Sequence, residues 1–205
     1  MCKRHNINTM KLLNHIIYSF ILVFLFNACS SNSAKKAEEK LDELSIYHLK
    51  GSWHNQNNDS LELSSLKGKV LVMVMIYTTC QAACPRLVAD MRDIESKIPK
   101  NQLDKINFVL VSIDPINDTP ERLKIFAKDN FMEASHWTFL QGTTASVQEF
   151  ANVLAVKYKK ISPMDFSHSN IISVFNPAGV LVHQQEGLGV NNKETVETII
   201  NELKK

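Results

Sequence analysis

Two cysteines separated by three residues, Cys80 and Cys84, are the side chains best suited to chemistry in this sequence. They come directly after the apolar stretch Val70–Ile76, and Pro85 follows the second cysteine. An apolar run that ends in two cysteines and a proline predicts a thiol pair on a strand-to-helix turn. The spacing C-x-x-x-C is one residue longer than the C-x-x-C of thiol oxidoreductases. The longer spacing favours holding a soft metal ion over rapid disulfide exchange.

The helix expected after this turn bears on the state of the second thiol. Proline suits the first position of a helix, so Pro85 would place the sulfur of Cys84 near a helix N-terminus. Unpaired N–H groups and the helix dipole stabilise a thiolate there. Thiolate ligands select Cu(I), and imidazole also suits Cu(II), whereas a tetrahedral zinc site usually takes four protein ligands. The two cysteines therefore favour copper.

The elements that must position the cysteines alternate between strand and helix. Val70–Tyr77 and Ile106–Ile113 are continuous apolar runs, typical of strands buried on both faces. Thr119 and Pro120 suit a helix start, and Ser146 to Glu149 resembles a capping box. This order predicts an α/β, thioredoxin-like fold with a central mixed sheet flanked by helices. The other predicted elements are an N-terminal hairpin extension within Leu44–Gly68, a helix over Pro85–Ile98, a strand over Trp137–Leu140, a hairpin of Ile171–Phe175 with Val180–Gln184, and a helix over Lys193–Leu203.

A histidine is the expected third ligand. His168 lies in a predicted loop directly before the strand Ile171–Phe175. In a thioredoxin-like fold that loop faces the turn that bears the thiols, so we expect His168 to complete the site. The remaining candidates lie in the N-terminal hairpin, at the start of a short strand or inside a strand: His48, His54, His136 and His183.

The N-terminus has the layout of an exported lipoprotein. Basic residues precede the apolar run Ile16–Phe26, whose 11 residues suit a signal peptide and fall short of the ~20 that span a bilayer. Ala28 followed by Cys29 resembles a lipoprotein cleavage site. We predict a signal peptide over 1–28, a lipidated flexible tether over 29–43 and a thioredoxin-like copper-binding domain over 44–205. The domain would face the periplasm of a bacterial cell envelope, anchored through Cys29; an uncleaved N-terminal anchor is the alternative.

Composition fits one globular domain and excludes one class of partner. The chain has 205 residues, of which 44% are hydrophobic and 21% charged, which is ordinary for a globular protein. Without residues 1–29 it holds 20 basic and 21 acidic residues. A nearly neutral domain without a basic stripe argues against binding to nucleic acid.

Three motifs in order resemble the Sco/SenC family. They are Cys80-Gln81-Ala82-Ala83-Cys84-Pro85, the segment Val111–Pro115 with Asp118-Thr119-Pro120-Glu121, and His168-Ser169 before a strand-Pro-x-Gly-strand hairpin. The resemblance implies one copper ion, Cu(I) or Cu(II), bound by Cys80, Cys84 and His168. It also implies a role in building the copper centre of respiratory cytochrome oxidase, with the copper-accepting subunit or another exported copper protein as partner. Many members have aspartate directly before the histidine, where this chain has Ser167.

Two questions stay open at this level. A thiol–disulfide oxidoreductase would use Cys80 and Cys84 as a redox disulfide, and the two roles can coexist because copper needs reduced thiols. Such enzymes usually place a cis-proline just before the strand that here begins at Ile171, but Pro163 is eight residues upstream of it. Asp114 could lie beside the copper and orient its ligands, or merely cap the turn after its strand.

Overall fold

A computed structural model describes residues 41–81, 83–163 and 165–205 of the chain. Its core is a mixed sheet of seven strands in the order β2-β1-β5-β4-β3-β8-β9. The strands are β1 (Trp53–Asn55), β2 (Ser60–Leu61), β3 (Val70–Ile76), β4 (Ile106–Ser112), β5 (Trp137–Gln141), β6 (Tyr158–Ser162), β7 (Asp165–His168), β8 (Ile171–Phe175) and β9 (Leu181–Glu186). β6 and β7 form a separate two-stranded sheet.

The two central strands are buried along their whole length. Every residue of β3 and of β4 is buried, as their unbroken apolar sequences predict. β3 runs parallel to β4 and β4 parallel to β5, whereas β8 pairs antiparallel with β3 on the other side. The predicted mixed sheet is therefore present.

Among the described residues, four α-helices accompany the sheet, and two of them begin earlier than the sequence suggested. Helix α1 begins at Ala83, so Cys84 lies inside its first turn rather than before it. The hydroxyl of Thr143, not Ser146, caps α3 by accepting the N–H of Ser146. Thr119 caps α2 as predicted. The helices are α1 (Ala83–Ser96), α2 (Pro120–Asp129), α3 (Thr144–Val153) and α4 (Lys193–Glu202).

The strand register brings three connections to one edge of the sheet. Ile76, at the end of β3, is paired with Ser112 at the end of β4. Near the same edge Val74 is paired with Ile172, at the start of the antiparallel β8. Carboxyl ends of parallel strands meet at one edge, so the segments after β3, after β4 and before β8 converge there.

Two segments differ from the sequence prediction. The predicted loop containing His168 is the β6–β7 hairpin, with His168 as the last residue of β7. The N-terminal hairpin exists as β1 and β2, and β1 extends the main sheet by pairing with β5. Its apolar patch Ile46–His48, however, is a short 3-10 helix. Both errors arise because short segments take the conformation that their tertiary neighbours impose.

The predicted signal peptide and Cys29 lie outside the described residues. Within the described ranges, no helix is both long enough and apolar enough to span a bilayer.

Candidate metal centre

The two cysteines come together where β3 passes into α1. Cys80 lies in the connection, and its N–H donates to the carbonyl oxygen of Tyr77 at 3.2 Å. Cys84 lies in the first turn of α1, and its N–H donates to Sγ of Cys80 at 3.2 Å. Both side chains are thiols. Cys84 is completely buried and Cys80 is 9% exposed.

His168 brings an imidazole to the thiols from the β6–β7 hairpin. Its Nε2 lies 3.9 Å from Sγ of Cys84. Its Nδ1 lies 3.0 Å from the carbonyl oxygen of Ser169. A carbonyl oxygen only accepts hydrogen bonds, so the proton is assigned to Nδ1, which leaves the Nε2 lone pair directed at the thiols. The ligand atoms of Cys80, Cys84 and His168 all lie within 4.8 Å of one another.

Burial favours the uncharged forms of Cys84 and His168. It raises the pKa of the Cys84 thiol far above its ordinary value, and the neighbouring Cys80 and Asp118 raise it further. Burial also lowers the pKa of His168, although its bond to Ser169 acts in the opposite direction. The expectation that the helix N-terminus would make Cys84 a thiolate is therefore wrong. Desolvation of a fully buried sulfur outweighs the favourable helix start.

The side chain of Tyr77 contacts both halves of the site, a feature that the sequence did not reveal. Its hydroxyl donates to Oδ1 of Asp165 and lies 3.2 Å from the carbonyl oxygen of Phe166. Its ring lies edge-on to the imidazole of His168, with 5.8 Å between ring centroids. Tyr77 is the last residue of the apolar run in the sequence, and no local signal separates it from the other core residues.

Asp118, rather than Asp114, contacts the thiol-bearing connection. The Asp118 carboxylate accepts the backbone N–H of Thr78 at 3.1 Å and the hydroxyl of Ser112 at 2.6 Å. Asp114 accepts the side-chain amide of Asn117 at 2.7 Å, which matches its capping interpretation. Burial raises the pKa of the Asp118 carboxyl. The sequence signal that could have identified Asp118 is the motif Asp118–Glu121.

The other candidate histidines have partners away from the thiols. Nε2 of His136 lies 2.6 Å from Oε1 of Glu95. Nε2 of His183 lies 3.0 Å from Oγ1 of Thr195. His48 contacts a backbone oxygen near the N-terminal end of the described chain, and His54 lies in β1. Among the described residues, the Cys80–Cys84–His168 group alone places three such ligands together.

The donor set fits a single soft metal ion. The 3.9 Å between Sγ of Cys84 and Nε2 of His168 is close to the separation of two donors that share an ion at about 2.0–2.3 Å each. Two sulfurs and one imidazole nitrogen suit copper, and their burial keeps water from competing.

Sequence comparison assigns the chain to a family. The family described as SCO1/SenC matches residues 47–205. The chain belongs to the SCO1/SenC family. A SCO1 protein homolog of Bacillus subtilis is 29% identical over 182 residues, which cover 87% of this chain and 90% of the relative.

Solved structures of SCO1/SenC proteins have the same fold. A SCO1/SenC family lipoprotein from Bacillus anthracis is 26% identical, with a TM-score of 0.67 over 80% of this chain and 98% of that one. The copper-bound ScoI of Arabidopsis thaliana is 19% identical, with a TM-score of 0.66 over 75% of this chain and 96% of that one. The predicted thioredoxin-like fold is thereby confirmed.

Proposed function

We propose that this SCO1/SenC protein is an exported copper-binding metallochaperone that holds one copper ion through Cys80, Cys84 and His168. The observation that carries the proposal is the convergence of two buried thiols and an imidazole Nε2 within 4.8 Å. Structures of two relatives with this fold, ScoI of Arabidopsis thaliana and ScoI of Bradyrhizobium japonicum, have been solved with copper bound. Soft sulfur donors favour Cu(I), and the imidazole allows Cu(II) as well.

The route of transfer follows from the exposure of the ligands. Copper would leave by ligand exchange, in which incoming donors of the acceptor replace the protein ligands one at a time. His168 is more exposed than either cysteine, and Cys80 is more exposed than Cys84, so the acceptor would reach the ion from the side of His168 and Cys80. The proposed acceptor is the copper-binding subunit of a respiratory cytochrome oxidase or another exported copper protein. A relative of this fold, BsSco, is described as a member of the Sco family of cytochrome c oxidase assembly proteins.

The proposed location is the cell envelope. Residues 1–28 would be removed as a signal peptide, lipid on Cys29 would anchor the chain, and 29–43 would tether the domain 44–205 on the periplasmic side. One relative of the same fold is described as a lipoprotein, which supports this arrangement.

A second candidate function is reduction of disulfides in the copper acceptor. The Cys84 N–H lies 3.2 Å from Sγ of Cys80, so the pair is close enough to be oxidised together after a small movement. The thiolate of Cys80 would attack an acceptor disulfide and release one acceptor thiol. Cys84 would then attack the mixed disulfide, leaving a Cys80–Cys84 disulfide and a fully reduced acceptor. The relative BsSco is described as having a disulfide switch.

Competition with a Cu(I) chelator tests the copper site. The full chain, purified in detergent, reduced and anaerobic, is expected to bind one copper ion per chain. His168→Ala should weaken that binding strongly, and the matched control His48→Ala should leave it unchanged because His48 contacts only a backbone oxygen. Weak or non-stoichiometric binding by the unchanged protein would contradict the metallochaperone proposal.

The same variants separate the two candidate functions. His168→Ala should barely alter the rate at which the reduced protein reduces a small aromatic disulfide, since the imidazole forms no bond in thiol exchange. Cys80→Ser should abolish both activities. A His168→Ala protein with unchanged copper affinity would show that the imidazole is not a ligand.

A further inference from the structure

We infer that Tyr77 is a positioning residue of the copper site, acting by fixing the hairpin that carries His168. The inference rests on the proposed copper function and concerns how its third ligand is held. Tyr77 ends the apolar run of β3 and is almost completely buried, at 3% exposure. It directly follows a buried strand of the seven-stranded sheet, whereas His168 belongs to a hairpin outside that sheet.

The hairpin needs an anchor because it is a small structure. A two-stranded hairpin by itself is marginally stable in water. β6 has one half-buried residue, Tyr158, followed by four exposed ones. The hairpin therefore contributes little apolar area of its own, and a few specific contacts must decide where His168 lies.

Tyr77 supplies those contacts through its hydroxyl and its ring. The hydroxyl donates to the carboxylate of Asp165, with the carbonyl oxygen of Phe166 also within reach at 3.2 Å. The ring packs against Phe166 with 5.2 Å between centroids, and against the imidazole of His168 with 5.8 Å. Asp165 and Phe166 open the strand that ends at His168, so anchoring them sets the direction in which the imidazole points.

The backbone of Tyr77 reaches the other two ligands. Its carbonyl oxygen accepts the N–H of Cys80 at 3.2 Å, and its backbone forms a hydrogen bond with Cys84. One residue thus contacts both cysteines through its main chain and the hairpin through its side chain, and its hydroxyl also forms a hydrogen bond with Cys80. Removing the hydroxyl should loosen the hairpin that carries the imidazole and remove the contact of the hydroxyl with Cys80, while the backbone hydrogen bonds of Tyr77 stay in place.

Tyr77→Phe tests the inference because it keeps the ring and removes only the hydroxyl. Copper affinity of the full chain, measured by chelator competition, is expected to fall about tenfold, the lower end of what loss of an outer contact to a metal-bound histidine costs. Tyr158→Phe is the matched control. Tyr158 lies opposite His168 on the same hairpin, and its hydroxyl has no hydrogen-bond partner among the described residues, so its removal should leave affinity unchanged.

Two further variants identify the route of the effect. Asp165→Ala should reproduce the loss caused by Tyr77→Phe, and Asp165→Asn, which keeps an acceptor oxygen, should restore most of the affinity. In a His168→Ala background, Tyr77→Phe should cause a much smaller loss, because only the contact of the hydroxyl with Cys80 is then removed from the site. An equal loss in that background would overturn the inference, because Tyr77 would then act through the thiols or through general stability.

Hydrogen exchange of the copper-free protein gives a readout independent of copper. Tyr77→Phe should raise exchange of the β6–β7 amides while those of β3 stay protected. If Tyr77→Phe left both the exchange of the hairpin amides and the copper affinity unchanged, the positioning role of Tyr77 would be overturned. The proposed copper function would not be affected by that result. Failure of the unchanged protein to bind copper would instead overturn the proposed function, and the exchange data would still decide whether Tyr77 anchors the hairpin.

Discussion

The strand that leads to the cysteines and the hairpin that carries the histidine are held in place in opposite ways. β3 lies inside the seven-stranded sheet, buried throughout and paired with β4 on one side and β8 on the other. The β6–β7 hairpin is a sheet of its own, largely exposed along β6. Two proposed ligands therefore come from a rigid core, and the third comes from an element placed by a few polar and aromatic contacts.

This difference suggests how one site can both hold and release an ion. The thiol side is fixed by the free energy of folding of the whole domain, so it keeps its geometry. The hairpin side can move for the cost of a few contacts, because loosely packed segments open at less than the global unfolding free energy. We therefore expect the hairpin to govern release and the core to govern stability.

The largest expected effect is on the free energy of unfolding, which should differ between an aromatic residue of the core and one of the hairpin. Phe108 in β4 is fully buried, and Phe108→Ala should lower the free energy of unfolding by about 3–5 kcal/mol. Phe166 in β7 is half-buried, so Phe166→Ala should cost only about 1 kcal/mol, less than full burial of such a ring provides. Urea unfolding of the copper-free chain measures both values.

The two substitutions should affect copper affinity in the opposite order. Phe166→Ala removes the ring that packs on Tyr77, so it should weaken copper binding, whereas folded Phe108→Ala protein should bind normally. If both substitutions lowered stability and copper affinity in proportion, the distinction between core and hairpin would fail.

The pH dependence of copper binding distinguishes the thiols from the imidazole. Burial raises the pKa of Cys84 and lowers that of His168, so at neutral pH the thiol is protonated and the imidazole is neutral. Copper must displace the thiol proton, so affinity should rise with pH by about tenfold per unit for each proton released, until the raised thiol pKa is passed. Competition titrations at several pH values on both sides of neutrality measure this slope.

The imidazole should add no slope in the neutral range. Its lowered pKa means that proton competition at His168 begins only below about pH 6.5, the ordinary histidine value. His168→Ala should therefore keep the slope while losing affinity. If the affinity of His168→Ala no longer depended on pH, the proton released on copper binding would come from His168 and not from a thiol.

The smallest expected effect on copper affinity concerns the two carboxylates near the thiol connection. Asp118→Asn replaces one acceptor oxygen with a donor where Thr78 and Ser112 already donate, so stability should fall by roughly 1–3 kcal/mol. Copper affinity should fall only a few-fold, since the backbone of Tyr77 still holds both cysteines. Asp114→Asn is the control, because Asp114 bonds the adjacent Asn117 instead. A greater loss of copper affinity in Asp114→Asn would restore Asp114 as the carboxylate of the site.

Much of the fold was predictable because its central elements are locally encoded. β3 and β4 begin where their apolar runs begin, and α2 begins directly after its cap, Thr119. The β6–β7 hairpin was not predictable from Tyr158 to His168, whose polar residues resemble a loop. Its strands exist because each supplies the hydrogen bonds of the other and because the core presents Tyr77 to them.

The sequence by itself determined where the thiols lie and which family the chain resembles, since a buried strand followed by a cysteine-bearing helix start is a local pattern. Only the tertiary structure decided how the histidine meets them, from 84 residues away, on a strand rather than a loop. It also decided that burial raises the pKa of the Cys84 thiol and that Tyr77 and Asp118 contact the segments that carry the ligands. Desolvation and hydrogen-bond partners depend on neighbours that are distant along the chain, and the sequence around a residue does not specify them.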